Sequence, residues 1–161
     1  MKKYLSYDEA LRKMQAYCAY QERCHKEVKE KLIALGIYGD DLDNIIVDLI
    51  EQKFLDEQRF ANLFIGSKFR QKRWGKIKIM QAIKAKGVSA YCIKKGFKNE
   101  ITDEAYQAAL YEVIEKKDKL IAAKNLWELK QKLAKYAINR GFESWLVWEV
   151  LENYLQDNHK H

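Results

Sequence analysis

Three glycines recur with a shared apolar pattern around them, and this repetition narrows the architectures open to the chain. The glycines are Gly36, Gly87 and Gly141, spaced 51 and 54 residues apart. Apolar residues recur eight and four positions before each glycine, directly after it, and ten and fourteen positions after it: Val28, Ile79 and Leu133; Leu32, Ile83 and Ala137; Ile37, Val88 and Phe142; Ile46, Phe97 and Leu151; Ile50, Ile101 and Leu155. Repeats of this length are typical of stacked helical units. We therefore predict three tandem repeats of three helices.

Local signals favour long helices throughout. The chain has no proline and only seven glycines, and no stretch shows sustained period-two alternation. Ser6 and Glu9 match a capping box, which predicts a first helix to about Ala19. Two further helices are predicted, from about Cys24 to Leu35 and from Gly39 to near Lys53, the last with an apolar stripe formed by Leu42, Ile45, Ile46, Leu49 and Ile50.

The repeats divide the chain into residues 1–53, 54–101 and 102–161. Because glycine weakens a helix, Gly96 predicts a short third helix in the middle repeat. In the third repeat, the sequence predicts a helix from Thr102, one from about Leu120 through Ile138, and a last one over residues 144–155. Trp145 and Trp148 are interpreted as core anchors, with an exposed binding patch as the alternative. The tail from Asp157 is expected to be frayed. The predicted fold class is all-α, with three helix-turn-helix-like repeats forming an elongated, curved array.

The net charge of +7 is concentrated in the middle of the chain. Between Gln58 and Asn99 there are twelve Lys and Arg residues and no Asp or Glu, whereas the rest of the chain has 18 basic and 23 acidic residues. A charge run is usually a solvated face, but so many like charges repel one another unless acidic side chains alternate with them. We therefore expect an anionic partner, either nucleic-acid phosphate or an acidic protein groove.

The candidate binding residues surround Trp74, whose ring could stack on a base or pack against a partner. They are Arg70, Lys72, Arg73, Trp74, Lys76, Lys78, Lys84 and Lys86.

Few residues are available for catalysis. The Gly75-Lys76 dipeptide lacks the other positions of a phosphate-binding loop, and neither a zinc-protease motif nor a nucleophile elbow is present. Two of the three histidines lie in the last three residues, and the pairs Asp40-Asp41 and Asp56-Glu57 stand where helices begin, which favours capping. We expect no catalytic residues, no cofactor and no small-molecule substrate.

The three cysteines, Cys18, Cys24 and Cys92, form no C-x-x-C pair and have no histidine at ligand spacing. We interpret them as packing residues and expect no metal. No apolar run approaches the roughly 20 residues that span a bilayer, and the first residues carry charges too early for a secretory signal. The sequence therefore predicts a cytoplasmic protein.

Several segments resemble the signature of the bacterial RecX regulatory proteins. They are FLDEQRFA (Phe54 to Ala61), RWGKIKI (Arg73 to Ile79) and KGV (Lys86 to Val88). The upstream segment ERCHKEVKEKLIALG (Glu22 to Gly36) is similar to the first helix pair of that family. The resemblance covers nearly the whole chain, which departs from it at Cys24, where many relatives have a serine cap, and in the third repeat.

The resemblance implies an all-helical array and a non-enzymatic modulator that binds the RecA recombinase filament. Such modulators typically inhibit strand exchange, ATPase and coprotease activity in DNA repair and recombination. The family has no catalytic residues to carry over, and Arg73, Lys76 and Lys78 fall within the family-like segment. We expect a monomer whose partner is the RecA filament, with direct contact to DNA in the filament groove left open. The alternative is a generic helical DNA- or RNA-binding module whose short helix pairs act as readers.

Overall fold

A computed structural model describes residues 5–159. Every regular element in this range is an α-helix, and none of its residues is in a β-strand. The helices are α1 (Tyr7–Tyr20), α2 (His25–Ala34), α3 (Gly39–Glu51), α4 (Glu57–Arg70), α5 (Lys76–Ala85), α6 (Ala90–Glu100), α7 (Asp103–Asp118), α8 (Leu126–Asn139) and α9 (Ser144–Asn158). The prediction of an all-α repeated array is confirmed.

The glycines that define the repeat end the second helix of each three-helix group. Gly36, Gly87 and Gly141 follow α2, α5 and α8 with φ angles of 84°, 73° and 101°. Glycine adopts this left-handed conformation without steric cost, so it commonly ends helices. After the first of them, the Ile37 N–H returns to the Leu32 carbonyl at 2.9 Å, which closes the last turn of α2.

Most apolar positions of the repeat form the core. Three of the five positions are buried in all three repeats: Val28, Ile79 and Leu133; Leu32, Ile83 and Ala137; Ile37, Val88 and Phe142. Phe97 is half-buried, and Ile50 is 43% exposed, so its predicted place in the α3 stripe is wrong. Neighbouring helix residues point about 100° apart, and Leu49 takes the inward position next to it.

Helix α8 begins six residues later than the sequence predicted. The predicted start, Leu120, is exposed and lies in the connection between α7 and α8. Asn125 is the actual cap, because its side chain accepts from the Glu128 N–H at 2.8 Å, while the Glu128 carboxylate accepts from the Lys124 N–H at 2.9 Å. This reciprocal pair fixes the start of α8 at Leu126.

Glycine does not interrupt α6. The helix continues through the buried Gly96 to Glu100, with 11 residues against 13 in α3 and 15 in α9. It is therefore the shortest of the three third helices, as predicted, although it has no break at the glycine.

The chain end is more ordered than predicted. Asp157 and Asn158 belong to α9, and the Asn158 side chain donates to the Tyr154 carbonyl at 2.9 Å. The expectation of a frayed tail is wrong for these two residues. Residues 160–161 lie outside the described range, as do residues 1–4, which include the charged start of the chain.

Trp145 is not a core anchor, because its side chain is 66% exposed; Trp148 is half-buried. The inward face of α9 is formed by smaller apolar residues and one tyrosine: Leu146, Val147, Val150, Leu151, Tyr154 and Leu155. Trp145 stands in the first turn of α9, one residue before this face begins.

The chain divides into two compact units. Among the described residues, compact unit 1 comprises residues 5–64 together with Ile83–Gly96, and compact unit 2 comprises Ile65–Ala82 together with residues 97–159. In unit 1, helices α1, α2 and α3 pack on one another, and in unit 2 helices α7, α8 and α9 do so. Helices α4, α5 and α6 contribute residues to both units. The division into repeats after residues 53 and 101 stays a prediction.

Two of the cysteines pack in unit 1. Cys18 and Cys24 are buried, and burial raises the pKa of the Cys18 thiol to about 11. Cys24 takes the N-cap position of α2, where its N–H donates to the Glu27 carboxylate at 3.1 Å.

Among residues 5–159, no three His, Cys, Asp or Glu side chains converge as a metal site would require. No helix in the same range has both the length and the apolar character needed to cross a membrane.

Tyrosine hydroxyls hold neighbouring helices together inside each unit. Tyr7 of α1 donates to Asp48 of α3 in unit 1, and Tyr154 of α9 donates to Asp118 of α7 in unit 2. The hydrogen bond to Asp48 raises the pKa of Tyr7 to about 12. Burial, together with the hydrogen bond to Asp118, raises the pKa of Tyr154. Both helix contacts therefore depend on neutral phenols.

We expect the Tyr7→Phe variant to lose less stability than the wild type between about pH 10 and pH 12. An unfolded tyrosine ionises near pH 10, so the contribution from the raised pKa is complete below that value and is lost as the pH approaches about 12. Thermal melts across this pH range measure the difference. Tyr20→Phe is the control, because Tyr20 is 83% exposed, and should keep the wild-type pH dependence. Equal losses in Tyr7→Phe and wild type would contradict the assignment.

Candidate functional site

The candidate site is built on the turn between α4 and α5. We call residues 70–78 the basic turn: Arg70 ends α4, Lys76 begins α5, and five residues connect them. Arg73 has a φ angle of 54°, a left-handed conformation that is uncommon for residues other than glycine. Its N–H donates to the Phe69 carbonyl at 3.1 Å, so the turn folds back onto the end of α4.

The first N–H groups of α5 are capped by residues distant in sequence and not by a neighbouring side chain. The first N–H groups of a helix have no partner inside it and are usually satisfied by a nearby Ser, Thr, Asp or Asn. The basic turn has none of these residues. Its N–H groups are satisfied by three acceptors from compact unit 2: Gly75 donates to the Arg140 carbonyl at 2.8 Å, Lys76 to the Tyr106 hydroxyl at 2.9 Å, and Ile77 to the Gly141 carbonyl at 3.0 Å.

These bonds require two backbones to lie against each other. A Cβ on Gly75 would overlap the backbone of Gly141, so only glycine fits at position 75. The Arg140 side chain completes the contact, donating from its Nε to the Arg73 carbonyl at 3.2 Å and from its terminal nitrogen to the Lys72 carbonyl. The conformation of the basic turn is therefore set by the turn between α8 and α9.

Tyr106 of α7 packs against residues next to the basic turn. Its ring is buried and lies 6.0 Å from the Phe69 ring and 5.2 Å from the Phe142 ring, measured between centroids. Burial, with the hydrogen bond that its hydroxyl donates to Glu143, raises its pKa far above the ordinary value for tyrosine. Its hydroxyl can thus donate to Glu143 and accept from the backbone of Lys76 at once.

The two arginines of the basic turn are held by carboxylates. Arg70 pairs with Glu100 at 3.1 Å, and Arg73 pairs with Glu112 at 3.1 Å. Gly66 makes room for the first pair, since a Cβ there would collide with both the Arg70 side chain and the Glu100 carboxylate. These guanidinium groups therefore already have anionic partners from α6 and α7.

The lysines of the basic turn, unlike its arginines, have no carboxylate partner in the described structure. Within the described part of the chain, no carboxylate lies within 4.0 Å of the Lys72, Lys76 or Lys78 ammonium. The Lys78 ammonium lies 4.5 Å from the Trp74 ring centroid, and that of Lys68 lies 5.1 Å from it. The half-buried Trp74 ring thus has two ammonium groups beside it. An aromatic ring attracts cations but does not neutralise their charge.

Lysines at the start of α5 also oppose the helix dipole. The N-terminal end of a helix carries a partial positive charge, and a cation near it costs about 0.3–1 kcal/mol. Lys76 and Lys78 both stand in the first turn of α5, and that turn contains no acidic residue. An anion bound between these ammonium groups would relieve this repulsion.

The remaining two candidates lie in compact unit 1. Lys84 is exposed near the end of α5, and Lys86 pairs with Glu27 at 3.8 Å. The structure therefore brings together Arg70, Lys72, Arg73, Trp74, Lys76 and Lys78 in unit 2, and places Lys84 and Lys86 in unit 1.

Sequence reasoning missed the acidic partners of the charge run. In the described part of the chain, carboxylates from outside the run pair with several of its cations: Arg59 with Glu22, Arg70 with Glu100, Arg73 with Glu112, and Lys86 with Glu27. It also missed Arg140 and Tyr106, which position the turn. Arg140 stands directly before a repeat glycine, but no local pattern marks Tyr106.

Two family models match the chain. The model described as "RecX, second three-helix domain" matches residues 56–96, which include the basic turn. The model described as "RecX, third three-helix domain" matches residues 103–151.

Curated relatives carry the same family name. The chain is 31% identical over 139 residues to "Regulatory protein RecX" of Clostridium acetobutylicum, covering 84% of this chain and 64% of the relative. It is 28% identical over 153 residues to the protein of the same name from Enterococcus faecalis, covering 95% of this chain and 57% of that relative. The chain thus spans less than two thirds of the length of either relative.

Solved structures show the same fold. "Crystal structure of RecX from Lactobacillus salivarius" superposes with a TM-score of 0.84 at 19% identity, covering 92% of this chain and 96% of that one. "Crystal structure of regulatory protein RecX" gives a TM-score of 0.80 at 18% identity, covering 91% of this chain and 73% of that one.

We expect Gly75→Ala to lower the free energy of unfolding by about 3 kcal/mol, because the added methyl group overlaps the Gly141 backbone, which cannot rotate away. Gly87→Ala is the matched control: it has a left-handed φ of 73° but only Lys26 side-chain atoms near it, at 3.8 Å. Its backbone strain should cost about 1 kcal/mol. Urea denaturation measures both values, and equal losses would show that the two backbones do not need to touch.

Proposed function

Because the chain belongs to the RecX family, we propose that it is a regulatory protein that binds the RecA–DNA filament through the basic turn. It acts by binding, without catalysing a reaction, and lowers the recombinase, ATPase and coprotease activities of RecA in DNA repair and recombination. We place it in the cytoplasm as a monomer. The observation that carries the proposal is the three lysines of the basic turn, Lys72, Lys76 and Lys78, which have no carboxylate partner in the described part of the chain.

The charge pattern supports an anionic partner for these lysines. Arg70 and Arg73 are paired with Glu100 and Glu112. The lysines keep an unneutralised charge, Lys72 at an exposed position and Lys76 and Lys78 at half-buried ones, for a phosphate or a carboxylate of a partner. An unpaired ammonium interacts strongly with phosphate because of its compact charge.

The rigidity of the turn supports specific recognition. Backbone hydrogen bonds to Arg140 and Gly141 fix its conformation before any partner arrives. A preorganised surface loses less conformational entropy on binding than a flexible loop does. The basic turn is therefore suited to reading a defined spacing of negative charges, such as that along a nucleic-acid strand held in a protein filament.

Binding to such a filament would slow ATP turnover by restricting the motion of its protomers. A RecA filament is a helical polymer on DNA, and its turnover requires neighbouring protomers to move relative to one another. A protein that contacts DNA phosphates and adjacent protomers together hinders that motion. It could also block the addition of subunits at a filament end.

The triple variant Lys72→Gln, Lys76→Gln and Lys78→Gln should bind RecA–ssDNA filaments at least about tenfold more weakly than the wild type, since each charged contact contributes on the order of 1 kcal/mol. Its melting temperature should change little, because the three ammonium groups make no ion pair in the described structure. Filament binding is measured by biolayer interferometry on immobilised filaments. Lys13→Gln, Lys29→Gln and Lys119→Gln form the matched control, because they remove the same charge from exposed positions elsewhere.

If the control and the site variant lost affinity equally, net charge and not the basic turn would determine binding. ATP turnover by RecA gives a second measurement, and the site variant should inhibit it less than the control does.

A salt series separates a filament regulator from a generic helical nucleic-acid module. Phosphate contacts alone predict that log affinity falls with log salt at a slope of about −0.7 per phosphate on single strands. A filament regulator gains protein contacts as well, so it should still bind RecA–ssDNA at a salt concentration where binding to bare ssDNA has vanished. Equal affinity for both across the series, without any effect on ATP turnover, would leave only the generic module.

A further inference from the structure

Compact unit 2 contains an open cleft between the end of α7, the segment that follows it, and α8. Its volume is about 460 Å³, within the range of about 300–1,000 Å³ that is usual for small-ligand sites. Three lysines, two aliphatic residues, a tyrosine and an asparagine line it: Lys117, Lys132, Lys135, Ile121, Ala122, Tyr136 and Asn139. We call it the lysine cleft. None of these residues belongs to the basic turn.

The positive charge at the rim of the cleft is only partly neutralised. Lys132 pairs with Glu128 at 3.0 Å and donates to the Ala122 carbonyl at 2.8 Å. In the part of the chain that the structure describes, no carboxylate lies within 4.0 Å of the Lys117 or Lys135 ammonium. Two of the lysines that line the cleft, one on α7 and one on α8, thus have no anionic partner there.

The interior of the cleft is apolar and contains an aromatic ring. Ile121, Ala122 and Tyr136 are its apolar lining residues. The Lys117 ammonium lies 4.5 Å from the Tyr136 ring centroid, and the Arg140 guanidinium lies 5.7 Å from it. A bare anion would make no use of these apolar atoms. A ligand that combines an apolar part with a negatively charged group would use both features of the cleft.

We propose that the lysine cleft binds a nucleoside phosphate, with the base packed against Tyr136 and Ile121 and the phosphate between Lys117 and Lys135. The Asn139 side chain offers both a donor and an acceptor to the edge of a base. Stacking on aromatic side chains beside cationic groups is the usual way in which proteins hold unpaired nucleotides. The occupant is either a free nucleotide or one nucleotide unit of a single strand, since both present the same chemistry. The cleft is a separate site from the basic turn, although Arg140 contacts both Tyr136 and the basic turn.

Titration with dTMP, followed by saturation-transfer NMR, tests the site directly. We expect saturable binding with transfer to the thymine protons. The double variant Lys117→Gln and Lys135→Gln should weaken it by about tenfold or more, because both phosphate contacts are lost. Ala122→Glu, which places a carboxylate at an exposed position of the lining, should weaken it comparably. The matched control is Lys116→Gln with Lys119→Gln, two exposed lysines at the same end of α7 that do not line the cleft.

A parallel titration with the oligonucleotide dT15 identifies the source of the ligand. Binding of both probes with the same response to the variants supports a site that accepts free nucleotides. Loss of dT15 affinity in the cleft variants, with no measurable dTMP binding, supports a site for a nucleotide within a strand. The proposal is overturned if the control loses affinity as much as the cleft variants, or if none of the variants affects either probe. It is also overturned if inorganic phosphate or an acidic peptide binds the cleft as well as dTMP does, with no transfer to the base protons.

Discussion

The close approach of the Gly75 and Gly141 backbones is the contact on which the candidate site depends. Helix α5 has no capping side chain of its own, so its first N–H groups need acceptors from elsewhere. The turn after α8 supplies two backbone carbonyls at 2.8 and 3.0 Å. A side chain at position 75 would separate the donors from the acceptors. A repeat glycine that ends one helix therefore also fixes the start of another.

The basic turn holds its two kinds of cation in different ways. The planar guanidinium groups of Arg70 and Arg73 form ion pairs with Glu100 and Glu112, which anchor the turn to α6 and α7. The lysines carry their charge on flexible side chains, and Lys76 and Lys78 stand where the helix dipole disfavours them. Folding alone would favour acidic residues in that first turn. Helix stability therefore does not explain these two lysines, whereas the anionic partner proposed above would.

Much of the fold could be predicted because it is repeated and locally encoded. Glycine stops, caps and apolar spacing each act within a few residues, so the repeat and most helix bounds were predictable from sequence. The start of α8 was missed although the Asn125 to Glu128 spacing carries a capping signal. The prediction that Trp145 is a core anchor is wrong, because large aromatic residues are usually buried but Trp145 is exposed in the first turn of α9. The roles of Tyr106 and Arg140 depend on contacts between distant helices, which no local pattern records.

The ion pairs of the charge run explain how a concentrated positive charge remains compatible with folding. Carboxylates from outside the run face Arg59, Arg70, Arg73 and Lys86, and therefore reduce the self-repulsion of the middle repeat. Such exposed pairs contribute less than about 1 kcal/mol each, so the fold does not rest on them. It rests on buried apolar positions and on backbone contacts at glycines, which tolerate little change. The surface charges can consequently be adapted to a partner while the helical scaffold beneath them stays the same.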